Sequence, residues 1–250
     1  MTSNCPSSDR PQAAPIIEAH RGDSTNAPEN TLAAFRAAIE LQVPWIELDI
    51  HPSRDGALIV MHDKTVDRTT NGSGAIADLT LEEISRLDAG SWFDARFVGE
   101  HVPQLRDVFD LVAPAGTLIN IEIKAAPPGL NVTGGVIELL RAYGKAREYV
   151  VSSFDLGALL EVQAAAPEIT LALIGGGPDI LEKAKQHGFA WVHPHHLSVD
   201  ADYIAEAHAL GKRVNVWTVD DPETLPAWTA IGVDMICTNR PAVMLAALRG

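Results

Sequence analysis

Strand-type and helix-type segments alternate along most of this chain, and that alternation limits the possible folds more than any other feature. Nine β-type runs follow residue 14, and their sequences are PIIEAH, WIELDI, ALIVMHD, TLINIEIK, YVVSSF, TLALIG, WVHPHH, RVNVWTV and DMICTN. Helical patterns lie between most of them, among them ENTLAAFRAAIELQ, PQLRDVFDLVA, VDADYIAEAHALG and PETLPAWTAIG. The last two patterns end at Gly211 and Gly232, as helices with a left-handed C-cap do. Alternation of this kind is typical of a parallel sheet covered by helices.

The interval between the second and third runs is too short to contain a helix. Six residues, HPSRDG, separate IELDI from ALIVMHD, whereas a parallel crossover needs about a dozen residues or more. These two runs therefore form an antiparallel hairpin that turns at Arg54, Asp55 and Gly56. Eight runs remain, which is the number that a closed (β/α)₈ barrel, the TIM barrel, requires. An open doubly wound sheet is the alternative, but the glycine-rich phosphate loop that usually follows its first strand is missing.

Residues 64–103 do not follow the alternation and are predicted to be a small insertion after the hairpin. This segment is rich in turn residues and aromatic residues, and it contains one short helical pattern, LEEISRL. We expect it to pack over one mouth of the barrel without a core of its own. Residues 1–14 are polar and are predicted to be a disordered tail, which leaves residues 15–250 as a single barrel domain.

Charge and cysteine content narrow the choice of partners and compartment. A formal net charge of −14 repels nucleic acid and anionic membranes, so we expect neither as a partner. Cys5 and Cys237 make no disulfide framework and are expected to be reduced thiols in the cytoplasm. The polar leader lacks the features of a secretory signal, and no stretch is apolar enough for a membrane anchor. The sequence leaves open whether copies of the chain form a homo-oligomer.

Polar side chains gather near the ends of several predicted strands, where barrel enzymes carry their sites. These residues are His20, Arg21, Glu47, Asp49, His62, Glu122, Lys124 and Trp217. Glu47 and Asp49 are two residues apart, so they share one face of a strand. The hairpin places Asp49 opposite Met61 or His62, so His62 lies beside the acidic pair in either register. We therefore expect one polar site at one mouth of the barrel.

Three carboxylates with no cysteine nearby suit a hard divalent cation such as Mg²⁺ or Ca²⁺. Glu47, Asp49 and Glu122 outnumber the two cationic side chains, Arg21 and Lys124, by one charge. A bound dication reverses the sign of the site, so that a phosphodiester monoanion is attracted rather than repelled. Salt bridges that merely neutralise the carboxylates are the alternative, and the excess of acids argues against them.

Two histidines beside such a cluster indicate general acid–base catalysis. Histidine titrates near neutral pH, and each well-placed acid or base contributes about 10²- to 10⁴-fold to a rate. Cleavage of a phosphodiester needs an acid for the leaving alkoxide and a base for the attacking oxygen. His20 or His62 alone would suit a core position, but their shared placement favours catalysis.

Seven motifs, in this order, carry a resemblance to the glycerophosphodiester phosphodiesterase family over nearly the whole chain from Ile16. They are HRG at 20–22, PENTLAAF at 28–35, IELDIHPSRDGALIVMHD at 46–63, DRTTNGSG at 67–74, NIEIK at 120–124, VSSFD at 151–155 and VNVWTVDD at 214–221. HRG alone would carry little weight, whereas the ordered set is highly specific. The family is similar to a TIM barrel with a small insertion after the HD motif, which agrees with the insertion predicted here.

The resemblance implies a reaction and a role for each candidate residue. The reaction is metal-dependent hydrolysis of glycerophosphodiesters, such as glycerophosphocholine and glycerophosphoethanolamine, to sn-glycerol 3-phosphate and an alcohol. The implied roles are acid–base catalysis by His20 and His62, metal binding by Glu47, Asp49 and Glu122, phosphate binding by Arg21 and Lys124, and a glycerol-side wall formed by Trp217. Attack by the glycerol 2-hydroxyl through a cyclic phosphate and direct attack by water both stay open.

Two other functions are compatible with the same residues. One is phospholipase D-like hydrolysis of lysophospholipids, which would need an exposed apolar patch at the barrel mouth. The other is a protein that binds phosphodiesters without turnover. The polar insertion and the expected lack of a membrane anchor argue against the first, and the intact set of histidines and carboxylates argues against the second.

Several polar residues are left outside the predicted site. Asn30 or Thr31 is expected to cap the first helix. His51 shares the face of Glu47 and Asp49 but receives no assigned role. His193, His195 and His196 have no fixed ligand spacing and are expected in a strand-end loop near the mouth.

Overall fold

Strands and helices alternate through the part of the chain that the computed structural model describes, residues 13–127, 129–177 and 179–249. The strands are β1 (Ile16–His20), β2 (Trp45–Pro52), β3 (Leu58–Val60), β4 (Leu118–Ile123), β5 (Val150–Ser153), β6 (Thr170–Gly175), β7 (Trp191–Pro194), β8 (Arg213–Val216) and β9 (Met235–Thr238). The helices are α1 (Leu32–Glu40), α2 (Leu81–Ile84), α3 (Leu105–Val112), α4 (Val132–Ala142), α5 (Leu156–Ala165), α6 (Asp179–His187), α7 (Ala201–Ala209), α8 (Leu225–Ile231) and α9 (Pro241–Arg249). None of the helices within these ranges has the length and apolar character needed to cross a lipid bilayer. Most of the predicted tail, including Cys5, lies outside the described residues.

Eight of the strands are parallel and close into a barrel. From β1 the order runs through β9, β8, β7, β6, β5, β4 and β2, and β2 pairs again with β1. Ala19 of β1 is aligned with Ile46 on one side and with Thr238 on the other. The predicted (β/α)₈ barrel is confirmed, and the alternative of an open doubly wound sheet is wrong.

Strand β3 is the antiparallel partner of β2, as the short interval between the two runs predicts. Ile50 is aligned with Val60, and the Met61 N–H donates to the Asp49 carbonyl at 3.0 Å. Gly56 in the turn has a φ of +84°, a conformation that glycine adopts without strain. Met61 therefore lies opposite Asp49, which is the first of the two predicted registers.

The interior of the barrel is filled by layers of side chains from successive inward-facing positions. The lowest layer is apolar, and its members are Trp45, Val150, Ala172, Trp191 and Met235. The next layer is polar where barrels usually carry branched aliphatic residues, and its buried members include Glu18, Glu47, Asn120, Ser152, His193, Asn215 and Cys237. The uppermost layer lies two residues further along each strand and contains four of the eight predicted site residues, His20, Asp49, Glu122 and Trp217.

The first helix packs closely against the turn that follows β1. Thr31, one of the two predicted caps, accepts the Ala34 N–H at 3.3 Å. Gly22 has a φ of +83°, and a Cβ on it would lie 2.7 Å from the Ala34 carbonyl carbon. The third position of the HRG motif therefore requires glycine, because any larger residue would push α1 away from the site.

The insertion differs in one respect from what we expected, because it contains a small hydrophobic cluster of its own. The cluster consists of Ile59, Met61, Val66, Ile76, Ile84, Ala89 and Val102. Ile59 and Met61 come from the hairpin, which extends beyond the barrel and so provides apolar side chains for the insertion to cover. Glu100 also accepts the Ala33 N–H at 3.0 Å and so connects the insertion to α1.

Candidate active site

A cavity of about 150 Å³ at the carboxyl-terminal mouth of the barrel brings the predicted site residues together. It is lined by His20, Arg21, Glu47, His62, Glu122, Lys124 and Trp217, among others. Asp49, the remaining member of the predicted set, is fully buried behind this wall in contact with Arg21 and Lys124. The sequence therefore predicted a set of residues that the fold does place side by side.

Three carboxylates form the centre of this cavity. Glu47 and Asp49 lie on β2, and the pairing of β2 with β4 aligns Asp49 with Glu122. One oxygen from each of the three lies within 4.8 Å of the others. Lys124 Nζ is 2.8 Å from Asp49 Oδ1 and also forms an ion pair with Glu122. Arg21 Nε lies 3.3 Å from Asp49 Oδ2.

The close packing of these carboxyls changes their pKa values. Burial and the nearby Asp49 carboxylate raise the pKa of Glu122 to about 7, and the same causes raise the pKa of Glu47. Burial would also raise the pKa of Asp49, but Lys124 and Arg21 outweigh it and hold that pKa below its usual range. The cluster therefore resists a full set of negative charges unless a cation joins it. Its hard oxygen donors fit a divalent metal ion of the Mg²⁺ or Ca²⁺ type.

The affinity of this cluster for such a cation is expected to rise with pH. A carboxyl with a raised pKa holds its proton in mildly acidic solution, and the cation must displace that proton to bind. The pKa of Glu122 is about 7. We therefore expect the dissociation constant to fall about tenfold per pH unit for each displaced proton below about pH 7. Titration calorimetry over this range measures the slope, and a flat profile would contradict the prediction.

His20 ends β1 with one ring nitrogen engaged. Nδ1 lies 2.6 Å from Oδ1 of Asn239, whose own Nδ2 donates to Asp220 at 2.8 Å and thereby fixes the orientation of the amide. Nδ1 therefore carries the hydrogen, and Nε2, 3.9 Å from Glu47 Oε2, keeps the lone pair in the neutral ring. Burial and the Arg21 charge lower the pKa of His20 to about 4. The ring is therefore neutral near pH 7, and the lone pair on Nε2 is free to accept a hydrogen bond or a proton.

His62 follows β3 and is oriented by its sequence neighbour. Its Nδ1 lies 2.7 Å from Oδ1 of Asp63, which again leaves Nε2 for proton exchange. The backbone carbonyl of His62 accepts a hydrogen bond from Nε2 of buried His51 at 3.0 Å. His51 therefore supports the backbone of His62, and it is not part of the carboxylate cluster found among the described residues.

The PENT segment supplies two site contacts that the sequence analysis missed. Asn30 Nδ2 donates to Asp49 Oδ2 at 2.8 Å, and Arg21 Nη1 donates to Glu29 Oε1 at 2.9 Å. We expected either Asn30 or Thr31 to cap the first helix. Thr31 forms the cap, whereas Asn30 adopts a φ of +56° and donates to Asp49. Polar residues in a loop between a site strand and its helix are the signal that could have revealed them.

Trp217 lines the cavity and packs against other aromatic rings. Its Nε1 donates to the His193 carbonyl at 2.8 Å, and its ring meets Phe154 and His195 edge-on at centroid distances of 5.6 and 4.9 Å. His193 lies within β7 and is buried. The expectation that His193 lies in a loop is therefore wrong, whereas His195 and His196 do follow the strand.

Comparison with known proteins assigns the family. The model of the glycerophosphoryl diester phosphodiesterase family matches residues 20–243. The chain belongs to this family. A glycerophosphodiester phosphodiesterase of Caldanaerobacter subterraneus subsp. tengcongensis is 38% identical over 239 residues, which cover 94% of this chain and 98% of the relative. One from Bacillus altitudinis is 33% identical over 236 residues, 90% of this chain and 94% of the relative.

A solved structure also resembles this chain closely. An Oleispira antarctica phosphodiesterase, in complex with the product sn-glycerol-3-phosphate, superposes with a TM-score of 0.89 at 29% identity. The match covers 95% of this chain and 98% of that one. The predictions of the family, of the barrel and of an enzyme of the phosphodiesterase class are therefore confirmed. The roles of individual residues remain predictions.

Proposed function

We propose that this chain hydrolyses glycerophosphodiesters, such as glycerophosphocholine and glycerophosphoethanolamine, to sn-glycerol 3-phosphate and an alcohol. The observation that carries the proposal is the convergence of His20, His62 and the acidic cluster on one cavity. The relatives named glycerophosphodiester phosphodiesterases support it, as does the likeness to the Oleispira antarctica phosphodiesterase with bound sn-glycerol-3-phosphate. We further propose that residues 15–250 act as one catalytic domain, with the insertion at residues 64–103 beside the mouth.

Glu47, Asp49 and Glu122 would hold the metal ion, and we propose Mg²⁺ or Ca²⁺. Three converging carboxylate oxygens are the donors that such ions prefer. The raised pKa values of Glu47 and Glu122 indicate a site that needs additional positive charge. When bound, a divalent ion polarises phosphoryl oxygens and offsets the charge of the carboxylates.

His20 and His62 are the proposed acid–base pair. Each ring has its Nδ1 engaged, by Asn239 or by Asp63, and each keeps Nε2 for proton transfer. One ring can take the proton of the attacking oxygen, while the other protonates the leaving alkoxide. The attacking oxygen can belong to the glycerol 2-hydroxyl or to water, since either needs the same pair.

Arg21 and Lys124 are the proposed phosphate ligands, and Trp217 is the proposed wall on the glycerol side. All three line the cavity. The guanidinium fork and the ammonium group both donate to phosphate oxygens, and each is also held by Asp49. Asp49 would therefore position the phosphate ligands as well as the metal ion.

Release of sn-glycerol 3-phosphate from glycerophosphocholine, with Mg²⁺ and Ca²⁺ supplied in turn, tests the proposal. We expect equimolar glycerol 3-phosphate and choline with at least one of the two ions. A panel with other glycerophosphodiesters then ranks the alcohols. The proposal fails if neither ion supports product release from any member of the panel.

An exposed apolar rim favours a second candidate, phospholipase D-like hydrolysis of lysophospholipids. Phe154 is 53% exposed and packs against Trp217 at the cavity edge, and Leu197 beyond β7 is 81% exposed. An acyl chain needs such a surface outside the phosphate site. Lysophosphatidylcholine in the same panel distinguishes the candidates, because this function requires faster choline release from the lipid than from glycerophosphocholine. Leu197→Ser should then slow hydrolysis of the lipid alone.

A further inference from the structure

One arginine of the insertion bridges two parts of the site that lie far apart in sequence. Arg68, in the DRTTNGSG motif, donates from Nε to Asp63 Oδ2 at 2.7 Å. Its Nη1 and Nη2 donate to the two carboxylate oxygens of Glu29 at 2.9 and 2.8 Å. The contact with Glu29 is a two-point fork, which fixes the plane of the carboxylate as well as its distance. A single guanidinium therefore joins the segment after β3 to the segment before α1.

Each carboxylate that Arg68 holds also contacts a predicted site residue. Asp63 Oδ1 lies 2.7 Å from Nδ1 of His62. Glu29 Oε1 accepts from Arg21 Nη1 at 2.9 Å. A continuous path of charge-assisted hydrogen bonds thus runs from the proposed acid–base group through Arg68 to the proposed phosphate ligand. The two guanidinium groups and the two carboxylates on this path balance in charge.

We propose that Arg68 is a positioning residue for the reaction, which orients His62 through Asp63 and Arg21 through Glu29. The inference rests on the proposed function and adds to it a residue that does not touch the substrate. Without Arg68, Asp63 loses the partner that fixes its rotamer. Glu29 is then free to pair more fully with Arg21 and to compete with the substrate phosphate for it. Arg68 therefore sets the distance between the acid–base group and the phosphate.

Ionisation of the two carboxylates is consistent with this role. The hydrogen bond from Arg68 is the largest cause that holds the pKa of Asp63 below its usual range. Burial raises the pKa of Glu29, but the hydrogen bond from Arg68 and the charge of Arg21 outweigh burial and lower it. Loss of the arginine would leave one uncompensated negative charge at the mouth through which an anionic substrate enters.

Three variants test the proposal by steady-state kinetics with glycerophosphocholine. Arg68→Ala should lower kcat about 10- to 100-fold, because misplaced reacting groups cost about that much, while the dissociation constant of the metal ion stays within about twofold. The kcat of Arg68→Lys should lie between those of the wild type and Arg68→Ala, since an ammonium keeps the charge but cannot form the fork. Arg96→Ala is the matched control, because Arg96 lies in the same insertion and pairs at 3.1 Å with exposed Asp94 two residues away. It should keep the wild-type rate.

Chemical rescue separates positioning from a purely structural connection. Guanidinium or methylguanidinium at non-denaturing concentration should restore part of the kcat of Arg68→Ala, since the ion can bind between the two carboxylates. The proposal is wrong if Arg68→Ala keeps a kcat within about twofold of wild type. It is equally wrong if the activity of Arg68→Ala falls in proportion to a lower thermal midpoint, and if neither the Arg68→Lys substitution nor added guanidinium restores that activity.

A readout without turnover keeps this inference separate from the proposed function. Nuclear magnetic resonance of the histidine rings should show a protected Nδ1–H on His62 in the wild type and in Arg96→Ala, and its loss in Arg68→Ala. If the wild type releases no glycerol 3-phosphate, the proposed function fails and this signal decides on Arg68 alone. A His62 resonance that Arg68→Ala leaves unchanged would overturn the inference.

Discussion

Replacing His62 with alanine is expected to lower kcat for glycerophosphodiester hydrolysis by about 10²- to 10⁴-fold, and replacing His20 should have an effect of the same size. Each substitution removes a ring whose Nε2 is available for proton transfer at the cavity. Neither removes a carboxylate, so both variants should still bind the metal ion. The double variant should lose less than the product of the two single effects, because the acid and the base serve one reaction sequence.

The control for the histidine variants is His101→Ala. His101 lies exposed in the insertion, where its Nδ1 is 3.3 Å from the Leu87 carbonyl, and it does not line the cavity. Its replacement should leave kcat and KM unchanged. Steady-state kinetics together with calorimetric titration of the metal ion distinguish lost catalysis from lost binding. Wild-type rates in both His20→Ala and His62→Ala would show that these two rings do not catalyse the reaction, whereas a wild type that binds phosphodiesters and releases no product would favour a binding protein without turnover.

Removal of divalent ions is expected to abolish turnover, and readdition of Mg²⁺ or Ca²⁺ to restore it. Without the ion, Glu47, Asp49 and Glu122 face only Arg21 and Lys124 among the cations that line or border the described cavity. The site then lacks the dication that would offset the carboxylates and polarise the phosphoryl oxygens. Glu122→Gln should weaken binding of the ion by more than about 100-fold. Loss of a residue that only supports a metal ligand already costs about 10- to 100-fold in affinity, and loss of a direct ligand should cost more.

Glu82→Gln is the control for the metal prediction. Glu82 lies exposed on α2, where it pairs with Arg86, and it has no contact with the cluster. This variant should bind the ion as the wild type does, as measured by calorimetry and by the ion concentration that gives half-maximal rate. Full activity after exhaustive chelation would contradict the assignment of the three carboxylates to a metal site.

The barrel could be predicted because the information for it is local. The strand runs are identifiable within a few residues each, and the short HPSRDG interval alone excludes a ninth parallel strand. Parallel strands of a barrel end at one mouth, so the order of the runs is enough to place residues such as His20 and Glu122 together. The register of β2 with β4, which aligns Asp49 with Glu122, then follows from the fold.

The contacts that sequence reasoning missed depend on distant partners or on unusual backbone. Asn239 forms a hydrogen bond with His20 although the two are 219 positions apart in the sequence, a separation at which no periodic pattern carries information. Asn30 reaches Asp49 because its φ is +56°, and residue type alone does not indicate that conformation there. The small core of the insertion forms because Ile59 and Met61 extend beyond the barrel, which strand patterns do not reveal.

The lowest layer of the barrel contains two tryptophans, Trp45 and Trp191, whose ring centroids are 6.4 Å apart. They lie at the amino-terminal end of the barrel, where apolar neighbours pack around them. In the described part of the chain this end is blocked, so a diester must enter, and both fragments must depart, through the opposite opening. On the proposed function, the phosphomonoester product would leave from the position that the next molecule of diester needs. We therefore expect this anionic product to compete with the diester for the one accessible side of the barrel.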